Sequence, residues 1–340
     1  MKILAVTHNL TFSGAPIVLY RLLASICREH QITVTCIHES GPMGQYYEKL
    51  GIPVLSHVVA SDFDVAICNT LLASNFIVQN HQHVPTVWWI HEPQFGLLYL
   101  KQKSAAAEAF ELATQIVFPT RWQAQTLYRP WLKGRTILCV PNGIDLPTSR
   151  PACPFENKER FFNLVQLGTV ERRKGQDLTI KAIRQLDDPG IRVFFVGTLR
   201  DKSILDVALA EIQRLVEVGS VQPESAAAYL HHCDALVFPT RDDLPSLAIM
   251  EAMWLGCCVI SSDFGAIPEL IEHGRTGLLF ATGDSEAFAA NIALIKRDAE
   301  LRATLGKNAA ASVREMHCFD RHRAGMLNAI EAAASSQNLA

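Results

Sequence analysis

Short β-branched apolar runs alternate with longer stretches of helical period along almost the whole chain, and the rhythm restarts halfway. A strand–helix–strand–helix order buries every apolar run only in parallel sheets covered by helices on both faces. In the first half, strands are expected near Ile3–Thr7, Ile32–Ile37, Val54–His57, Val65–Cys68, Thr86–Ile90, Ile116–Pro119 and Thr136–Val140. Helices fit Ala15–Arg28, Ala105–Ala113 and Arg121–Tyr128, with Pro16 in a first turn that tolerates it. In the second half, strands fit Leu164–Leu167, Arg192–Val196, Ala235–Phe238, Cys258–Ser261 and Gly277–Phe280. Helices there fit Gln176–Gln185, Ser203–Leu215, Ser225–His231, Leu247–Leu255 and Ser285–Ile295, and the closing Ala-, Arg- and Glu-rich residues are helical.

Leu146–Pro154 carries three prolines in nine residues, which neither a helix interior nor a central strand accepts. Two domains are therefore expected: 1–145, a linker at 146–158, a second domain at 159–315, and a last helix at 316–340. A length of 340 residues with 49% hydrophobic content suits two cores of the usual ~150 residues each. Two doubly wound domains are expected to turn the carboxyl ends of their strands toward a common crevice, where such sheets bind ligands.

Charged residues make up 19% and the formal net charge is −3, so the basic stripe of a nucleic-acid-binding protein is missing and no nucleic-acid partner is expected. The nine cysteines are irregularly spaced, and several sit in apolar runs such as Ile137–Val140 and Cys257–Ile260. Buried free thiols explain them better than disulfides or zinc, which implies a reducing, cytoplasmic setting. No apolar stretch approaches the ~20 residues that span a bilayer, so a lipid-borne substrate is expected to be met from the surface, at the inner face of a membrane.

Four segments carry chemistry. Pro239–Gly256 follows a strand and opens a helix, with Asp243 before the helix and Glu251 about a turn inside it. Carboxylates suit sugar hydroxyls because each accepts two donors. The amides of Ser246, Leu247 and Ala248 at the helix start are free to hold an anion such as a diphosphate. The alternative is an acidic turn that complements the helix dipole. Gly168–Gln176 ends the second domain's first strand, and Arg172, Arg173 and Lys174 can neutralise a diphosphate there and stabilise a leaving group. A solvated basic turn is the other reading. Thr7–Pro16 leads from the first strand into the first helix with Gly14 as its only glycine, so it is not the three-glycine dinucleotide fingerprint. Trp88–Pro93 places His91 at a strand's carboxyl end, where it either assists proton transfer and orients a hydroxyl or is a hydrogen-bonded structural histidine. His81, His83, His231 and His232 lack metal-ligand company and read as surface or loop residues; Asp62 and Asp64 read as turn residues.

Together these segments resemble the retaining glycosyltransferases of family 4 (group 1), over nearly the whole chain. The resemblance rests on five motifs in order: Thr7–Pro16, the hinge-like Val140–Asp145, Leu167–Asp177, Val237–Ile260 and Gly265–Phe280. It implies a GT-B fold of two Rossmann-like parallel-sheet domains facing a central cleft, with a donor nucleotide on the second and an acceptor mostly on the first. It also implies a nucleotide-sugar co-substrate (UDP- or GDP-sugar), a saccharide acceptor that includes lipid-linked ones, no required metal and no other cofactor. By the same resemblance Glu251 binds the ribose, Asp243 faces the donor sugar, Arg173 and Lys174 hold the diphosphate under Gly14, and His91 lies beside the sugar. The last helix is expected to cross back to the first domain. Three positions depart from the family pattern: Asp243 where Glu is usual, Thr169 where Arg is frequent, and Ser13–Gly14 in place of Gly–Gly. The competing classes are a GT-B-fold epimerase or phosphorylase, and a catalytically weak sugar-nucleotide-binding subunit.

Overall fold

The computed structural model describes residues 1–39, 41–146, 151–244 and 246–336. They form two compact units, one of Met1–Gly143 with Phe319–Ala340 and one of Ile144–Cys318.

The first unit is built on a seven-stranded parallel sheet. In chain order its strands are β1 (Lys2–Asn9), β2 (Gln31–Glu39), β3 (Val54–Leu55), β4 (Val65–Asn69), β5 (Thr86–Trp89), β6 (Gln115–Phe118) and β7 (Leu138–Cys139). Their spatial order is β3-β2-β1-β4-β5-β6-β7, so the winding reverses between β1 and β4. β4 and β5 are buried along their whole length, as strands covered on both faces must be. Helices Gly14–Ile26 and Ser104–Leu112 cover the sheet, and Trp88, Phe110, Phe118 and Tyr128 fill the core under the latter. Helix Phe319–Ser336 buries His322, Met326, Ala329, Ile330 and Ala333 in this unit, against β4, β5 and β6.

The second unit holds a six-stranded parallel sheet: β8 (Phe162–Leu167), β9 (Ile191–Val196), β10 (Leu215–Gly219), β11 (Ala235–Phe238), β12 (Cys258–Ser262) and β13 (Leu278–Phe280). The order β10-β9-β8-β11-β12-β13 reverses between β8 and β11. The chain enters and leaves this unit side by side, because Ile144 pairs with Cys318 and its amide donates to the His317 carbonyl at 2.9 Å.

Several expectations change. The helix expected over Ser203–Leu215 stops at Glu211, and Leu215–Gly219 forms the edge strand β10. Ile212 is extended and breaks the helix, leaving the β-branched run after Arg214 to pair with β9. Arg121–Tyr128 contains a π-helical turn at Gln123–Leu127. Short helices at Gly44–Lys49, Ser74–Asn80 and Gly96–Gln102 are too brief to show a period. The first unit's N-terminal part ends at Gly143, not Asp145, and the stretch assigned to a linker is partly core. Phe155 is buried, 4.6 Å from the Phe194 ring and 5.6 Å from Tyr229. Pro147–Arg150, the middle of that stretch, lie outside the described residues, as do Pro245 and residues 337–340. His232 is not a surface residue: its Nε2 donates to the Pro151 carbonyl at 2.8 Å. Among the described residues no helix is long and apolar enough to cross a membrane.

Candidate active site

The second unit brings most of the expected residues together at its switch point. β8 runs out through Gly168 into a tight turn at Arg172–Lys174, and β11 runs out through Pro239 to Asp243. Hydrogen bonds to main-chain carbonyls of the first loop tie it to the second loop and to β8. Arg241 N and Thr240 Oγ1 donate to the Arg173 carbonyl at 2.8 and 3.1 Å, and Gln166 Nε2 donates to the Lys174 carbonyl at 2.9 Å. Gly175 makes the fit possible. Its φ is +77°, and a Cβ there would lie 1.9 Å from the Pro239 carbonyl oxygen.

The lacing gathers the charged side chains. Lys174 Nζ is ion-paired to Asp243 Oδ2, and both side chains are only 14% exposed. The same ammonium lies 5.2 Å from the centre of the Phe238 ring. Arg173 donates to the Asp242 carbonyl at 2.8 Å and to Glu171 Oε1 at 2.6 Å, and stands 3.8 Å from Asp243 Oδ1. Two cations thus face two carboxylates. Each cation already has a carboxylate partner, so any anion drawn to them competes with Asp243 and Glu171. Arg172 is exposed and its carbonyl accepts from Gly175 N and from Arg241, which grips Asp177 with both guanidinium nitrogens at 2.7 Å.

Ser246 caps the helix Leu247–Trp254. Its Oγ accepts from Ala248 N at 3.1 Å, so of the three amides expected to be free, that of Ala248 is taken. A serine cap satisfies one of a helix's orphan donors. Glu251 is half-buried in the second turn of that helix. Gly168 has φ +143° and a Cβ there would meet nothing within 4 Å, so the β8 loop borders open space at this point. Thr169, at the position where the family often has Arg, offers its carbonyl to Gln176 Nε2 at 3.0 Å.

Gly14 and His91 belong to the first unit. Gly14 opens helix Gly14–Ile26, is exposed, and has open space where a Cβ would point. His91 follows β5, its ring 4.5 Å from that of Trp89, and its Nε2 is buried without a hydrogen-bond partner among the described residues. Burial, then His322 and His8, pushes its pKa down to about 3. It is therefore a neutral imidazole that can take or give a hydrogen bond, and not a base at neutral pH.

Three groups around it escaped the sequence reading. His8, at the end of β1, reaches Thr70 Oγ1 at 3.3 Å and is lowered to about 4 by burial, then by His38. His322 comes from the far end of the chain, 5.2 Å from the Trp89 ring; its Nδ1 donates to the Pro141 carbonyl at 2.9 Å, and burial lowers it to about 4. Glu92 is buried, and burial raises its carboxyl to about 7 against the opposing pull of its hydrogen bonds. A histidine at a strand end is the one signal that a local reading could have used for His8; nothing local marks His322.

These shifts carry a pH signature. In the unfolded chain the three rings regain an ordinary value of 6.5, so below pH 6.5 the unfolded state binds more protons and stability falls as pH drops toward 4. Glu92 acts oppositely: raised from 4.5 to about 7, it adds stability as pH drops from 7 to 4.5, and that gain is then complete. Three groups outweigh one. The first unit is expected to melt at a progressively lower temperature from pH 6.5 to 4.5 in buffered thermal scans; a flat or rising profile would refute the burial of these rings.

Residues 1–144 match the family model described as glycosyl-transferase family 4, and residues 153–312 match that described as glycosyl transferases group 1. D-inositol 3-phosphate glycosyltransferase of Pseudarthrobacter chlorophenolicus is 29% identical over 188 residues, 50% of this chain and 44% of that protein. The putative colanic acid biosynthesis glycosyltransferase WcaL of Salmonella typhimurium is 27% identical over 147 residues, 40% of this chain and 36% of that one. The chain thus spans less than half the length of these curated relatives. HepE of Anabaena, solved in complex with UDP-glucose, superposes with a TM-score of 0.82 at 20% identity, over 98% of this chain and 100% of that chain. Two adjoining family matches, on two Rossmann-like parallel-sheet units, place this chain among the GT-B-fold group 1 glycosyltransferases of family 4.

Proposed function

We propose that this protein is a retaining glycosyltransferase that moves a sugar from a UDP- or GDP-sugar to an acceptor hydroxyl, in surface polysaccharide or glycolipid assembly. The observation that carries the reading is the Arg173–Lys174–Asp243 group at the switch point of the second sheet. Lys174 and Arg173 take the diphosphate, and Asp243, released from Lys174, turns to the donor sugar. Glu251 binds the ribose hydroxyls, and the amides of Ser246 and Leu247 face the phosphates. The bond from the anomeric carbon to the phosphate oxygen breaks as the acceptor oxygen attacks on the same face. The departing phosphate oxygen receives the acceptor's proton. Gly14 lets main chain approach the donor, and His91 hydrogen-bonds the sugar on the acceptor side. With two cations at the leaving group, the reaction needs no bound metal. The acceptor is a saccharide, lipid-linked forms included, and the enzyme meets it from the cytoplasmic face of the membrane.

A thermal-shift panel of nucleoside diphosphates and their sugars, with magnesium or with EDTA, tests this. UDP comes first because HepE, which shares the fold, is solved with UDP-glucose. A ligand at a hundred times its Kd adds about 2.7 kcal/mol, roughly 5–10 °C for a unit of this size. A shift with one base, unaffected by EDTA, followed by sugar transfer, supports the reading; a shift without transfer moves the chain to the sugar-nucleotide-binding subunits. Glu251→Ala should weaken nucleotide binding about tenfold by calorimetry, as expected for losing a charged hydrogen-bond acceptor. Unchanged affinity removes Glu251 from the ribose.

A further inference from the structure

One buried acid has no part in the reaction as drawn. Glu92 is 8% exposed and follows His91 directly. Its Oε2 accepts from two main-chain amides, Leu71 at 3.0 Å and His91 at 3.2 Å. Its own main chain is clamped from the other side. The Glu92 carbonyl accepts from Gln123 Nε2 at 2.9 Å and from the Tyr128 hydroxyl at 2.9 Å. Gln123 opens the π-helical turn, a distortion often found beside functional sites.

The segment that Glu92 grips is strained. Thr70 has φ +80° and ψ 164°, a region costly for a β-branched residue by about 1–3 kcal/mol. Its surroundings hold it there: Thr70 N donates to the Trp89 carbonyl at 2.8 Å, and Trp88 Nε1 donates to the Thr70 carbonyl at 2.8 Å. Burying a carboxyl for amides that water or a neutral side chain would satisfy is expensive. Strain and a buried acid therefore meet at the carboxyl ends of β1, β4 and β5, where the sheet reverses.

We propose that Glu92 is a positioning residue for His91: one carboxylate oxygen holds the His91 and Leu71 amides, fixing the imidazole against Trp89 and keeping the Thr70–Leu71 turn in its strained form. The proposal rests on the reading of His91 as a contact to the donor sugar. The titratable groups on the elements around Glu92 are His8 near the end of β1, His91 itself, Tyr128 after the π-helical turn and His322 on the last helix. No cation among the described residues pairs with its carboxylate. The ionised carboxylate is the better acceptor for both amides, so the grip tightens as pH rises through neutrality.

The test compares wild type, Glu92→Gln and Glu92→Asp in the full chain by amide NMR and by kinetics from pH 5.5 to 8.5. In wild type the His91 and Leu71 amide protons should move downfield together through about pH 7, and kcat should rise over the same interval. In Glu92→Gln the titration should vanish, kcat at pH 8 should fall about tenfold as expected for a small misplacement, and the thermal shift given by nucleotide should stay, because that site lies in the other unit. Glu92→Asp, which keeps the charge on a shorter arm, should recover part of the kcat and titrate. Wild-type kcat and pH profile in both variants would overturn the proposal, as would amide protons that do not titrate in wild type. Amides that titrate in a protein that transfers no sugar would uphold the grip and sink the transferase reading instead.

Discussion

Lys174→Ala should lower turnover by about 10²-fold or more, the cost of removing one charge stabiliser from a leaving group. The structure adds a second consequence. Lys174 is the close partner of Asp243, whose side chain is only 14% exposed; without it Asp243 keeps Arg173 at 3.8 Å. A buried carboxylate that loses its partner costs about 1–3 kcal/mol. The variant should therefore melt a few degrees lower and still fold. The rate loss at saturating donor, followed as release of the nucleoside diphosphate, is the decisive number. Turnover near that of wild type would remove Lys174 from the leaving-group site and leave it a structural ion pair.

Gly175→Ala should be the most damaging small substitution in the second unit. A positive φ alone costs a non-glycine residue about 1 kcal/mol. The added Cβ would also stand 1.9 Å from the Pro239 carbonyl oxygen, so the loops after β8 and β11 have to part. That separation breaks the hydrogen bonds from Thr240 and Arg241 to the Arg173 carbonyl. A total of about 3 kcal/mol or more is expected, or roughly 6–12 °C in Tm by calorimetry, together with loss of the nucleotide-induced shift. Gly14→Ala, where a Cβ meets nothing, is the stability control. A Gly175→Ala protein that melts like wild type would mean the two loops are not locked together.

Much of this architecture was legible because parallel strands buried on both faces read as continuous apolar runs, as Val65–Asn69 and Ala235–Phe238 do. β10 was hidden because Ser203–Glu211 and the strand after it are both largely apolar, and only the short break Ile212–Arg214 separates them. The second unit's candidate site was legible as a cluster because its residues lie in two contiguous loops. The pairing of Lys174 with Asp243, 69 residues apart, follows from the sheet order, not from either loop. Glu92, Thr70 and His322 were invisible for a different reason. Their importance lies in burial, in one unusual φ and in a contact made from the far end of the chain, and none of these leaves a local pattern.

The return of Phe319–Ser336 to the first sheet has a consequence for how the protein is made. The helix that sets His322 against Trp89 is synthesised only after all of Ile144–Cys318 has emerged. At ~5–20 residues per second, β4 and β5 wait on the order of 12–50 s for that cover, while the second unit already has its whole sheet. The later-made unit can therefore finish folding first, and a ribosome stalled in the last stretch would leave the first core with an open seam for chaperones to guard.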